Sequence, residues 1–282
     1  MAAPADLLLE ILRPERLTAV VDIGANPIDG DPPYKQLLAK RLCNVVGFEP
    51  QLEALASLDA RKSELERYFP YVLGDGEKGS LRICHSVGMT SLLRPNQRVL
   101  KHFKGFTESA TILEEVPVQT IRLDDVAEIE ILDFLKIDIQ GSELAVFQGG
   151  HRLLAKAVAI QTEVSFLPIY DEQPAFGSVD LELREIGFVP HSFAAINKRM
   201  ILPTFDQKNP YGAMNQLVEA DVVYVRDFTQ PELMDSEQLK HLAIIAHHCY
   251  RSFDLAVNCI FHLAQRGVVP KGSLERYIAA AR

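Results

Sequence analysis

Short apolar runs, each cut off by a glycine or a carboxylate and followed by a stretch of helical spacing, constrain this chain most. Val20 to Ile23 ends at Gly24, Asn44 to Phe48 ends at Glu49 and Pro50, ILDFLKIDI closes around Asp138, and AVAIQTEV carries Glu163 near its end. Runs of about four to eight apolar residues bounded in this way suit strands buried on both faces, as in a parallel sheet covered by helices on each side. Helical periodicity fills the intervals: Tyr34, Leu37, Leu38 and Leu42 after the first run, Leu52, Leu55, Leu58 and Leu65 after the second, and SELAVFQGGHRLL after Asp138. Alternation of strand and helix implies right-handed crossovers and a parallel sheet.

YFPYVLG reads as a third strand with Asp75 just past it, and GDGEKGS as a hairpin turn into LRIC. Leu123 to Ile129 reads as a short helix and SVDLELREIG as another, with strands at GFVPHSF and EADVVYVRD. The expectation is an open α/β fold of about seven mostly parallel strands with helices on both faces. Residues 1–18 form a docking helix ahead of the main domain at 19–230, and 231–282 form a helical extension.

In that extension Asp235 and Gln238 have the spacing of a capping box, and Gly267 supplies a stop with Arg266 beside it. Leu239, Leu242, Ala246, Cys249, Phe253 and Ile260 recur at three- and four-residue steps. The pattern fits one long helix or a hairpin broken near Ser252. Ile244, Ile245, Leu255 and Val257 widen the apolar surface beyond a narrow seam. A helix apolar on so many sides is buried, either against its own domain or in a homodimer through the C-terminal helices.

A net charge of -9, without a basic stripe, argues against nucleic acid as a partner, because Lys and Arg must neutralise its phosphates. No run reaches the ~18 apolar residues of a membrane span. The first residues lack the basic start of a secretory signal, and Cys43, Cys84, Cys249 and Cys259 show no paired or metal-ligand spacing. A reduced, cytoplasmic setting is the expectation.

Ligands of open parallel sheets sit outside the carboxyl ends of the strands. Asp22, Asn26, Glu49, Asp75, Asp138 and Glu163 all fall at such ends. A glycine at 24 permits close approach of the backbone to a ligand, Glu49 can accept from both hydroxyls of a ribose, and Asp75 can accept from an exocyclic amine. No GxGxxG is present, so a nucleoside without pyrophosphate fits better than a dinucleotide.

In order along the chain, VVDIGAN, VGFEP, LGD, GMTSLL, VPVQTIRLDDV, FLKIDIQGSELAVFQGG and AIQTEVSF resemble the FkbM family of S-adenosylmethionine-dependent methyltransferases. The resemblance runs from about Val20 to Asp227 and implies a Rossmann-like class I methyltransferase fold. It also implies that Asp22, Gly24, Ala25 and Asn26 form the loop for S-adenosylmethionine, that Glu49 holds its ribose, and that Asp75 lies near its adenine. The implied reaction is O-methylation of a sugar, glycan or other small molecule.

A base must take the hydroxyl proton, and Asp138 and Glu163 are the first candidates, ahead of His85 and His191. Gln140 and Glu143 are placed to orient the substrate. Asp138 could instead cap the following helix. No metal is expected, although two strand-end carboxylates would suit Mg²⁺. His241, His247, His248 and His262 read as packing or surface positions of the tail. Two other readings compete: an NAD-dependent oxidoreductase, which shares the strand and ribose acid, and a cofactor-free interaction module acting through the tail.

The first loop departs from the family pattern. Where a glycine generally stands two residues after the asparagine, this chain inserts Pro27 to Gly30 and restarts at Asp31, read as a helix cap, and Pro32. Gly30 is the candidate for the displaced turn.

Overall fold

The computed structural model describes residues 7–28, 30–204, 206–209 and 212–281. Its centre is a seven-stranded sheet in the order β3 (Glu66–Phe69), β2 (Cys43–Phe48), β1 (Thr18–Ile23), β7 (Phe134–Ile137), β8 (Ala159–Ser165), β10 (Gln216–Arg226) and β9 (Phe188–Arg199). The first five run parallel, whereas β10 is antiparallel to both β8 and β9. The edge at β9 is thus reached by reversing the chain once inside the sheet.

Successive side chains of a strand point to opposite faces, so a strand apolar throughout feeds two cores. Val20, Phe134, Ala159 and Val223 join one cluster, while Val21, Leu135, Ile160 and Tyr224 join the other. The second core is closed by α6 (Glu143–Gln148), α7 (His151–Leu154) and α8 (Phe176–Glu185), through Val146, Phe147, Leu154 and Leu183. One helix was expected across residues 142–154, but the paired Gly149 and Gly150 divide it. A Cβ on Gly150 would lie 2.5 Å from Leu123, so the break keeps that close contact open.

The first core is closed by α1 (Leu7–Leu12), α2 (Lys35–Ala39) and the extension, made of α9 (Ser236–Tyr250), α10 (Phe253–Gln265) and α11 (Ser273–Ala281). The capping box forms: Asp235 accepts from the Gln238 amide at 2.8 Å, and the Gln238 side chain accepts from the Asp235 amide at 2.9 Å. The hairpin version holds, with Arg251 in a left-handed conformation at the break. Leu242, Ile244, Ile245, Leu255 and Ile260 are all buried against the sheet of the same chain. The apolar width that suggested a homodimer is therefore consumed internally. The third helix, α11, was not singled out from the sequence, although Leu274, Tyr277 and Ile278 stand at three- and four-residue steps.

Other local expectations change. Pro70 divides YFPYVLG, and β4 (Val72–Leu73) leaves the main sheet for a three-stranded one in the order β4, β6 (Ile112–Ile121), β5 (Lys78–Cys84). β5 pairs antiparallel with β6 and not with β4, so GDGEKGS makes no hairpin. Only Leu123–Asp125 coils into a 3-10 turn where a helix to Ile129 was expected. Asp31 does not cap α2, which starts after Tyr34; Asp31 pairs instead with Lys35, at 2.5 Å. Among the described residues, no helix is long and apolar enough to cross a membrane.

Candidate active site

The sheet face under the helical extension changes character along its strands. Moving two residues toward the carboxyl ends of β1, β7 and β8, Val20, Phe134 and Ala159 give way to Asp22, Lys136 and Gln161. Two residues further, β7 and β8 end in Asp138 and Glu163, and antiparallel β10 presents Asp221 opposite Glu163. Tyr250, at the end of α9, marks the border, its hydroxyl donating to Gln161 at 3.0 Å. Beyond it this polar row floors a cleft of about 1010 Å³, walled by residues of the Ala25–Pro33 loop and by Ala195 and Asn197 of β9.

A second cleft, of about 730 Å³, opens beside it at the ends of β1 and β2. Phe48, Tyr71, Leu73 and Leu81 make its apolar wall, Glu49 and Gln51 its polar rim, and the Val87–Leu92 segment its cover. Thr90 and Ser91 also line the apolar cleft. Asn26, Ile28 and Asp138 line both clefts.

Asp22 is 2% exposed and receives the Tyr34 hydroxyl at 2.5 Å, with Lys136 Nζ 3.4 Å from its other oxygen. Burial pushes the Asp22 carboxyl up, and Lys136 and Tyr34 oppose that rise. Burial also works against the Lys136 ammonium, but Asp22 and Asp138 outweigh it and hold Lys136 above its ordinary value. Lys136 Nζ also donates to the Gly24 carbonyl at 2.9 Å. Asp22 therefore acts through Lys136 on the turn and lines only the acidic cleft.

Gly24 has a φ of +77°, and an added Cβ would meet the Asp138 carbonyl oxygen at 2.0 Å. Gly24 lines the apolar cleft, and its lack of a side chain also permits the close approach of β1 to β7. Ala25 is buried and faces the acidic cleft. Glu49 is 3% exposed; burial pushes its carboxyl up, while the backbone amides of Gln51, at 2.8 Å, and Asn26 pull it down. Asp75 lies in neither cleft. Its carboxylate accepts from the Glu77 amide at 2.9 Å and from Thr120 Oγ1 at 3.1 Å, which makes it a turn anchor of the small sheet.

Asp138 does not cap α6; Ser142 precedes that helix, and Gln140 Nε2 donates to Asp138 Oδ1 at 2.8 Å. The same amide reaches Glu163 at 3.3 Å, and Gln140 Oε1 accepts the Tyr170 hydroxyl at 3.0 Å. Gln140 lines the apolar cleft, and its backbone carbonyl accepts from Ser91 at 2.7 Å. With φ at +60°, it turns the chain sharply so that its side chain ties the two carboxylates together.

Glu143, expected to orient substrate, lines neither cleft. It is 4% exposed and accepts the amides of Ile139 at 3.0 Å and Gly141 at 3.1 Å, shaping the turn after β7. Burial pushes it to about 7. Glu163 is pushed well above the usual carboxylate range by burial and then by Glu219 and Asp138. His85 and His191 line neither cleft; His191 Nε2 lies 2.8 Å from Ser252 Oγ.

Lys136, Gln161, Glu219 and Asp221 were not singled out from the sequence. Their signal was a polar residue at an alternate position of an otherwise apolar strand, visible once two-residue periodicity is applied within FLKIDI, AIQTEV and EADVVYV.

A sheet of this strand order, with clefts outside its carboxyl ends, is the Rossmann-like fold of class I methyltransferases. The family described as the methyltransferase FkbM domain matches residues 22–190, and the chain belongs to that family. It is a methyltransferase.

No curated protein matches the chain in sequence. Among solved structures, a putative S-adenosylmethionine-dependent methyltransferase from Listeria monocytogenes is 9% identical, with 78% of this chain and 96% of that one covered and a TM-score of 0.40. A putative methyltransferase from Thermoplasma acidophilum is 7% identical over 74% of this chain and 68% of that one, with a TM-score of 0.39. Magnesium protoporphyrin IX methyltransferase from Synechocystis PCC 6803 with bound SAM is 11% identical over 75% of this chain and 71% of that one, with a TM-score of 0.37.

Proposed function

We propose that this chain transfers the methyl group of S-adenosylmethionine to a hydroxyl of a sugar, glycan or other small molecule. The observation that carries the reading is Asp138, which lines the apolar cleft and the acidic cleft alike. The cofactor takes the apolar cleft. Phe48, Tyr71 and Leu73 would hold its adenine and Glu49 would accept from its ribose hydroxyls, with Asn26 and Asp138 lining the end of the cleft shared with the acceptor. The acceptor takes the polar cleft, whose acidic floor suits an array of hydroxyl donors.

In the transfer, the acceptor hydroxyl releases its proton to Asp138, and its oxygen forms a bond to the methyl carbon. The bound cofactor would supply an electrophilic methyl group and would keep the electron pair of the broken carbon–sulfur bond as a neutral thioether. Holding the two reactants in line supplies much of the acceleration, and the base has only one proton to move. Gln140 fixes the Asp138 carboxylate in position for that proton. Glu163, raised by burial, supports a second proton position in the acceptor cleft.

Thermal unfolding with S-adenosylmethionine, S-adenosylhomocysteine or NAD tests the reading. A ligand at ~100 times its dissociation constant adds about 2.7 kcal/mol to stability. Both sulfur cofactors raise the midpoint and NAD leaves it unchanged. Stabilisation by NAD alone overturns the proposal in favour of an oxidoreductase, and no response from cofactor-stripped protein overturns it in favour of an interaction module.

A further inference from the structure

Carboxylates concentrate on the polar face at the ends of β7 and β8. Asp138, Glu143 and Glu163 each offer one oxygen, and these atoms lie within 4.8 Å of one another. Oxygens that share one hard cation stand at ~2.0 to 2.6 Å from it and so are at most about 5 Å apart, a limit these three atoms meet. The adjoining strand adds two more acids. Asp221 sits opposite Glu163 in the β8–β10 ladder and Glu219 opposite Ser165, which puts both on this same face.

Glu219 supplies an independent sign of a ligand. It is 8% exposed, and its Oε1 has no hydrogen-bond partner. It stands on the same face as Glu163, one step along the ladder, and lies near enough to Asp138 and Glu143 to feel their charges, against which only Arg199 acts. Leaving a buried carboxylate oxygen unpaired is costly unless a cation or donor meets it. The nearby ammonium of Lys136 is already committed to Asp22 and to the Gly24 carbonyl.

We infer that Asp138, Glu143 and Glu163 form a site for a hard divalent cation of the Mg²⁺, Mn²⁺ or Ca²⁺ class, with Glu219 closing it from the neighbouring strand. All the donors are oxygens, the ligand type these ions prefer. Glu143 gives one oxygen to the amides of Ile139 and Gly141 and keeps the other for the ion. Gln140 stands between Asp138 and Glu163 and can add a further oxygen when its carboxamide turns over. The Tyr170 hydroxyl satisfies either orientation, because it can donate or accept.

Cation binding stands apart from methyl transfer, and its part in catalysis rests on the function proposed above. There it would hold the acceptor oxygen at the cleft junction and ease loss of its proton. Asp138 contributes a single oxygen to the ion and retains the other as proton acceptor.

The test is calorimetric titration of the full chain, stripped with EDTA, with MgCl₂, MnCl₂ or CaCl₂ and no cofactor or acceptor. One ion binds per chain with a dissociation constant of ~10⁻⁵ to 10⁻³ M, the weaker end of oxygen-ligand sites. Glu163→Gln and Asp138→Asn, shown folded by circular dichroism, bind at least about tenfold more weakly. The absence of binding to the wild-type chain overturns the inference, as does equal affinity in both variants; the first result would assign the cluster to shared protons.

Should both variants fail to fold, Tb³⁺ luminescence on the wild-type chain decides instead. The chain has no tryptophan, so tyrosine is the antenna, and Tyr170 adjoins Gln140. Saturable emission displaced by Mg²⁺ or Ca²⁺ supports the site, and emission that neither saturates nor is displaced overturns it. Metal bound without any methyl transfer would sink the proposed function and leave the cation site standing.

Discussion

A Cβ on Gly24 would lie 2.0 Å from the backbone carbonyl oxygen of Asp138. The first turn and the residue shared by the two clefts are thus packed as one unit, and Asp138 N donates to Ile23 O at 3.0 Å to complete it. Any side chain at 24 must push β1 from β7 and also adopt a positive φ.

Gly24→Ala therefore lowers stability by about 2 to 4 kcal/mol, in the range of strain and close-packing defects, and cofactor affinity falls with it. Gly30 offers the comparison. Its φ is +117°, but nothing lies within 4 Å of an added Cβ, so Gly30→Ala carries the backbone strain alone, about 1 to 2 kcal/mol. Urea denaturation of the two variants checks the ranking. Equal midpoints would remove the argument from close approach.

Glu49 and Asp75 both follow strands, yet only Glu49 reaches a cleft. If S-adenosylmethionine binds as proposed, replacing Glu49 by Ala removes a charged acceptor for two ribose hydroxyls, each such hydrogen bond being worth about 1.5 to 3 kcal/mol at most. Binding of S-adenosylhomocysteine weakens by about 10- to 100-fold at the lower end of that range. Asp75→Asn, which alters a turn beside Thr120, leaves the affinity unchanged. Calorimetry on the two variants separates them, and a comparable loss for Asp75→Asn would return that residue to the cofactor site.

The difference between these two acids shows what the sequence could convey. Continuous apolar runs such as Val20–Ile23 and Phe134–Ile137 can be buried only between two helical layers, so the main sheet and the carboxylates at its strand ends were legible. Asp75 follows a strand as well, but Pro70 sends that strand into another sheet, and strand pairing is a long-range choice that no local pattern records. Glu143 carries a motif position visible in FLKIDIQGSE, whereas the inward rotation of its carboxylate depends on the amides of Ile139 and Gly141 presented by a turn at positive φ. Glu219 opens EADVVYVRD, which the sequence marks only as a strand. Its burial comes from β9, which extends to Arg199 and makes β10 an interior strand.

His241 links the extension to the base of β1. It is fully buried, with Nδ1 3.0 Å from Thr18 Oγ1 and Nε2 3.8 Å from a carboxylate oxygen of Glu237. Burial holds its pKa below the ordinary value despite the opposing pull of Asp133. The unfolded chain, with an imidazole pKa of about 6.5, then binds more protons than the folded one as the solution is acidified. The stability that neutral His241 confers is complete above about pH 6.5 and is lost as pH falls from there toward the lowered folded value. His241→Asn retains a polar partner for Thr18 without the titration. Wild type therefore loses more stability than the variant between pH 8 and pH 5.5. Urea midpoints of both proteins at the two pH values measure this difference, in which the slopes of other buried groups cancel. A difference that stays constant with pH would show that His241 is protonated within the fold, held by Glu237 and Asp133 rather than governed by burial.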